Sequence, residues 1–225
     1  MKCRVMFLIL MFPLVFPVAH AGETGTVPPE VSMDGLEQVE KSRHKEIYRA
    51  PAVDWSGYDA VIIDPATVAF RKNWQRDQNR QQPNKIRSDD MERIRTTLAE
   101  NFDEVFSEEL AENGGMTLTE QAGGNVLRIT PYIVDLDVYA PDARRNPGIQ
   151  RSYVESAGRM TLKLHLFDSE TGDLIAVFSD HREDTRRGYL EWANSVSNTH
   201  RFRLILKSWA RELREGLQEA QSISS

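Results

Sequence analysis

The sequence predicts an α+β fold, a two-layer sandwich in which a mixed or antiparallel sheet of about four strands carries two amphipathic helices on one face. Two observations support this. Residues 88–113 and 198–218 repeat large apolar side chains at three-to-four spacing, the pattern of a helix with one buried stripe. Residues 160–166 alternate Met160, Leu162, Leu164 and Leu166 with Thr161, Lys163 and His165, the two-residue period of a strand with one face in the core and one in water. Strands and helices that each bury one face pack together as two layers.

The elements follow in chain order. Residues 1–21 open with Lys2 and Arg4, continue through an apolar run over 5–18 and close on Ala19-His20-Ala21. A basic start, an apolar middle and a small-x-small exit read as a secretory signal peptide cleaved after Ala21. The run is shorter than the ~20 residues a helix needs to cross a bilayer. Residues 22–35 are poor in large apolar groups and read as a flexible arm. Residues 36–221 are expected to form the single α+β domain.

Within that domain, Ile47-Tyr48 before Ala50-Pro51 suggests a short edge strand, because a residue preceding proline favours extended backbone. Residues 58–70 are β-branched and aromatic and predict the first long strand, with Pro65 forcing a bulge or an edge. Residues 71–87 read as a long polar connection. Ser88 is placed as the N-cap of the first helix, with Asp89, Asp90 and Glu92 at its positive end, and Asn113-Gly114-Gly115 as its stop. Residues 126–139 and 151–167 predict two more strands. The turn cluster 168–173 returns the chain as a fourth strand over 174–184. Asn198 is placed as the cap of the last helix, whose stripe is Phe202, Ile205, Leu206, Trp209, Leu213 and Leu217, and residues 222–225 are expected to fray.

Composition narrows the function. The net charge is −6, and loss of Lys2 and Arg4 with the signal takes it to −8. A nucleic-acid surface would need a basic patch, and anionic lipid would repel such a chain. Cys3 is the single cysteine and lies before the apolar run. The processed chain therefore has no disulfide, no thiol nucleophile and no thiolate zinc site.

Several blocks resemble a known family. They are Asp54-Trp55-Ser56-Gly57-Tyr58, Ile63-Asp64-Pro65, Val68-Ala69-Phe70, Ser156-Ala157-Gly158 with Met160-Thr161-Leu162, the turn Asp168-Ser169-Glu170-Thr171-Gly172, and Trp192-Ala193-Asn194 with Asn198. In order and spacing the chain resembles the bacterial envelope family filed as domain-of-unknown-function family 3313. The resemblance implies an exported protein, in a family composed mostly of predicted lipoproteins, and supplies no catalytic residues. This chain has Gly22 where a lipid-bearing cysteine would follow the apolar run. It is therefore expected as a free periplasmic protein without a lipid anchor or a membrane span.

Candidate sites are few. Arg71, Trp74 and Arg76 place cationic and aromatic groups together in the long connection, with Trp192 and Asn194 joining from before the last helix; such groups hold carboxylates or stack on a sugar or peptide. For Trp74 itself the favoured reading is a buried pin for the connection, since tryptophan is mostly buried. Asp135 and Asp137, two apart on a strand, would face one side and suit a cation or acid–base work, but a solvated sheet face is the reading adopted. His165 and His181 lie on opposite arms of one hairpin and are placed to face each other, without a third ligand for a metal. Ser156-Ala157-Gly158 reads as a bulge or a close backbone contact rather than a serine nucleophile, because no paired histidine is identifiable. Arg182, Arg186 and Arg187 read as a solvated, salt-laced sheet edge. No Gly-x-Ser-x-Gly elbow or phosphate-binding glycine loop occurs. No metal or cofactor is expected. The sequence thus predicts an exported accessory or binding protein that contacts another envelope protein. The alternatives are a periplasmic hydrolase using carboxylates such as Asp64 or Asp135, and a small-ligand or glycan binder at the Trp74 loop.

Overall fold

The structure, a computed structural model, describes residues 28–81, 85–138, 153–154, 158–183, 191–192 and 195–224. In chain order the elements are β1 (Glu37–Lys41), β2 (Lys45–Arg49), β3 (Ala60–Ile63), β4 (Thr67–Phe70), α1 (Trp74–Gln81), α2 (Ser88–Glu108), β5 (Thr117–Leu118), β6 (Val126–Val138), β7 (Tyr153–Val154), β8 (Gly158–Asp168), β9 (Leu174–Glu183), β10 (Glu191–Trp192) and α3 (Ser195–Ser224). A 3-10 turn at Trp55–Gly57 precedes β3, and a π turn at Glu109–Asn113 extends α2.

Among the described residues the main sheet has eight strands in the order β1-β2-β9-β8-β6-β3-β5, with β4 also paired to β6. The pairs from β1 through β6 are antiparallel, whereas β3 and β4 run parallel to β6, and β5 parallel to β3. The sheet is therefore mixed and has twice as many strands as the sequence predicts. Two strands escaped prediction for physical reasons. β1 reads EQVEK and is mostly exposed, so it has no apolar face to signal it, and β5 is only two residues long. Because β1 covers it, β2 is an interior strand rather than an edge.

The predicted strand over 58–70 is split into β3 and β4 around Pro65. The break lies opposite Pro131 of β6, between the pairs Ile63–Ile129 and Thr67–Tyr132. Neither proline can donate to a ladder, so the interruption falls where a continuous pairing would lack donors. β6 carries an extra residue near Asp135, whose φ is 53°. That bulge changes the phase of the strand. Leu127, Ile129 and Ile133 point into the core before it, and Leu136 and Val138 after it.

The α2 residues Leu98, Phe102, Val105 and Phe106, with Leu110 in the turn that follows, and the α3 residues Phe202, Leu206, Trp209, Leu213 and Leu217 share one core with these β6 residues and with Met160, Leu162, Leu164 and Leu166 of β8. Each buried side chain of this size contributes about 1.5–3 kcal/mol relative to exposure. Charge reinforces the helix pair. Arg203 of α3 donates to Glu104 of α2 at 2.6 and 2.9 Å, and Arg214 of α3 donates to Glu109 at the end of α2 at 2.8 Å.

The helix termini differ from expectation. Ser88 is the first residue of α2 rather than its cap, and the Asp90 carboxylate accepts the Arg87 N–H at 3.0 Å. Asn198 lies inside α3, which begins at Ser195. The chain end is helical to Ser224 instead of frayed. Gln221 donates to the Tyr58 carbonyl at 2.8 Å, and Ala220 is buried, which holds the last turn against the segment before β3. The stop after α2 is as expected in kind: Gly115 has φ 72°, a left-handed conformation. Among the described residues no helix is long and apolar enough to cross a membrane.

Candidate functional site

The predicted connection over 71–87 contains a helix, α1, and begins where the parallel strands β4 and β6 end. Asn73 turns the chain with φ 63°, and Trp74 then enters α1. The Trp74 side chain is 1% exposed. It stacks on Phe70 with centroids 4.2 Å apart, and its Nε1 donates to the Val138 carbonyl at 2.9 Å. Trp74 therefore takes the role of a pin. Its buried ring has no open face for a sugar or peptide, which corrects the reading of Trp74 as a stacking platform.

Arg71, the residue after β4, donates from Nε to Asp137 at 2.7 Å and from Nη1 to Asp77 at 2.8 Å. Arg159 of β8 reaches the same Asp137 carboxylate at 3.1 Å. The Asp77 carboxyl is held below its ordinary value, first by the Arg71 hydrogen bond, and the Arg71 guanidinium is pushed up, first by Asp77. Phe70 also receives the Arg95 guanidinium over its ring at 5.5 Å. The structure thus adds Asp77, Arg95, Asp137 and Arg159 to the predicted Arg71, Trp74 and Arg76. Of these additions only Asp77 lies close enough to Arg71 in the chain to carry a sequence signal; the contacts to Asp137 and Arg159 depend on strand register. Arg76 and Arg159 are the open members of this cluster, with about half of each side chain exposed at 56% and 47%.

Trp192 lies in β10, paired with Tyr153 of β7, and its side chain is outside the described residues, as is Asn194. Asp135 and Asp137 do not form a carboxylate pair. The bulge separates them, leaving Asp135 exposed and Asp137 tied to two arginines. Of the segment Ser156-Ala157-Gly158 only Gly158 is among the described residues; it has φ 137°, and a Cβ there would stand 2.3 Å from the Asp137 carbonyl oxygen, a close backbone contact. His165 and His181 do not face each other: their cross-strand partners are Val177 and Thr161. His181 instead stacks on His44, with centroids 6.0 Å apart, and its Nδ1 lies 3.0 Å from Thr161 Oγ1. Arg182 is not a solvated edge residue. Its Nε donates to buried Asp180 at 2.7 Å, it bonds Ser208 and Glu212 of α3, and it lies over the Trp209 ring at 5.5 Å. Arg186 and Arg187 lie outside the described residues.

Asp64 sits in the β3–β4 break. Its carboxylate accepts bonds from Arg128 Nη2 and Nε, at 2.8 and 2.9 Å, and one from Thr130 Oγ1 at 2.7 Å. Thr130 precedes Asp135 by five strand residues, a span of roughly 16 Å. Asp64 and Asp135 therefore stand apart, and Asp64 is committed to an arginine. Among the described residues no group of three His, Cys, Asp or Glu side chains is placed to hold a metal ion.

The fold defines a mixed α+β protein with a helix pair on a broad sheet. The chain belongs to the family described as "Protein of unknown function (DUF3313)", which matches residues 30–213. No functionally curated protein matches it. Among solved structures it is similar to a PelC dodecamer from Paraburkholderia phytofirmans, at 8% identity and a TM-score of 0.37, over 76% of this chain and 96% of that one. It is also similar to a point variant of the same dodecamer, at 10% identity and a TM-score of 0.32, over 72% and 95% of the two chains.

Proposed function

We propose that this chain is an exported periplasmic accessory protein that acts by binding another envelope protein, and that the end of the sheet formed by Arg71, Arg76, Asp137 and Arg159 is its contact surface. The observation that carries this reading is the arrangement of that cluster. Trp74 fixes its base, Arg71 and Asp137 neutralise each other inside it, and Arg76 and Arg159 remain half exposed at its rim. Arginine is enriched at protein interfaces because its planar fork holds carboxylates in two-point contacts. The basic, apolar and small-residue order of residues 1–21 supports export, and Gly22 in place of a cysteine supports release without a lipid.

A hydrolase built on Asp64 and Asp135 has less support. General acid–base work needs two groups within reach of one bond, and these two stand far apart, with Asp64 bound to Arg128. The test is capture of the tagged protein from crosslinked envelopes, compared with Arg76→Glu. A defined envelope protein recovered with the parent chain and lost with the variant supports the reading. Equal recovery with both, or repeated recovery of none, overturns it.

A further inference from the structure

The sheet face opposite the helices holds a buried histidine that the proposed contact does not use. His165 of β8 is 4% exposed, although the alternation of its strand predicts a water-facing residue. Its Nδ1 has no hydrogen-bond partner among the described residues. Tyr132 lies beside the ring with centroids 5.1 Å apart, and Phe167 meets it edge-on at 6.3 Å. Across the strands the neighbours are Thr130 of β6 and Val177 of β9, with Tyr48 of β2 beyond Val177.

A neutral imidazole has one donor and one acceptor, but an imidazolium has two donors that both need partners. An unpaired charge of that kind is costly among aromatic and aliphatic groups. The charged and titratable groups on this face offer no relief. Lys163 of β8 is the adjacent cation. On β6 the neighbours are Arg128 and the Tyr132 hydroxyl, and on β2 they are Glu46, opposite Ser179, and the Tyr48 hydroxyl. Asp64, from the β3–β4 break, is the carboxylate nearest in register, and it already accepts from Arg128 and Thr130. Burial, and then the Lys163 charge, hold His165 below its ordinary value of 6.5.

We propose that His165 is an acid-triggered release point for this face: once protonated, the imidazolium leaves the space between Tyr132 and Phe167, and the β6–β8 pairing around Thr130 and His165 opens. The sign follows from linkage. The open state binds the proton at the ordinary value and the closed state only below it. The closed face is therefore fully stable above pH 6.5 and loses stability as pH falls through the lowered closed-state value. Opening would uncover Tyr132 and Phe167 as an aromatic strip, while the α2–α3 contacts from Arg203 to Glu104 and from Arg214 to Glu109 do not depend on the β6–β8 pairing.

The test is a histidine-selective NMR titration of the purified protein, together with amide protection factors at pH 8 and pH 5. The His165 signal is assigned by its absence in His165→Phe, or by through-bond correlation in the parent protein if that variant does not fold. Expected are a His165 titration below 6.5 and a loss of protection at Thr130, Tyr132 and Lys163 at pH 5, with α2 and α3 still protected. In His165→Phe the acid-dependent loss disappears. A His165 titration at or above 6.5, or unchanged protection across β6–β8 at pH 5, overturns the proposal.

Discussion

Replacing Trp74 separates two forces that hold the candidate site in place. In Trp74→Phe the aromatic stack on Phe70 is retained, but the indole N–H that reaches Val138 at 2.9 Å is removed. Val138 is 5% exposed, so its carbonyl loses a partner in a place where water does not readily replace it. A buried acceptor left unpaired costs about 1–3 kcal/mol. Trp74→Ala removes the ring as well and leaves a cavity, a change that costs about 3–5 kcal/mol. The expectation is therefore a loss of about 2 kcal/mol for the phenylalanine variant and about twice that for alanine. With a urea slope of about 1–3 kcal/mol/M, the first loss moves the unfolding midpoint by roughly 1 M. Urea unfolding followed by far-UV circular dichroism measures both, and the slope should stay unchanged. A phenylalanine variant within about 0.5 kcal/mol of the parent protein, the range of an ordinary surface change, would refute the claim that Trp74 pins α1 to the end of β6.

Two further predictions come from the core and the backbone. Asp180 is 4% exposed and accepts from both Trp209 Nε1 and Arg182 Nε at 2.7 Å. Asp180→Ala leaves a half-buried guanidinium without that carboxylate and is expected to cost about 3–5 kcal/mol, read from thermal or urea unfolding. Gly158→Ala and Gly216→Ala should move stability in opposite directions. At Gly158, with φ 137°, the added Cβ meets the Asp137 carbonyl at 2.3 Å, and a loss of at least about 1–3 kcal/mol is expected. At Gly216, an exposed position in α3 with nothing within 4 Å among the described residues, the same change should stabilise by about 0.5–1 kcal/mol. Calorimetry of the pair checks both signs.

Periodicity made the core legible. The stripes Leu98-Phe102-Val105 and Leu206-Trp209-Leu213, and the alternation from Met160 to Leu166, all turn inward as their spacing predicts. Elements without an apolar face were not legible. α1 reads WQRDQNRQ, with a single apolar residue to mark a helix, and β1 depends on pairing with β2 rather than on burial. His165 shows the limit of alternation: an outward position became buried where Tyr132 and Phe167 pack against its ring. The candidate site was half legible. Arg71, Trp74 and Arg76 are near enough in the chain to be seen together in sequence. Asp137 and Arg159 join them only through the β6–β8 register, which the Asp135 bulge shifts by one residue. The same bulge defeated the two-apart reading of Asp135 and Asp137, because that reading assumes an unbroken two-residue period.

The most direct test of the proposed function is photocrosslinking in cells from a reactive residue placed at position 76. The expected result is one discrete adduct with an envelope protein, formed by the exported chain and diminished by Arg159→Gln. A folded, exported chain that forms no adduct from position 76, or a chain that remains unprocessed inside the cell, would contradict it.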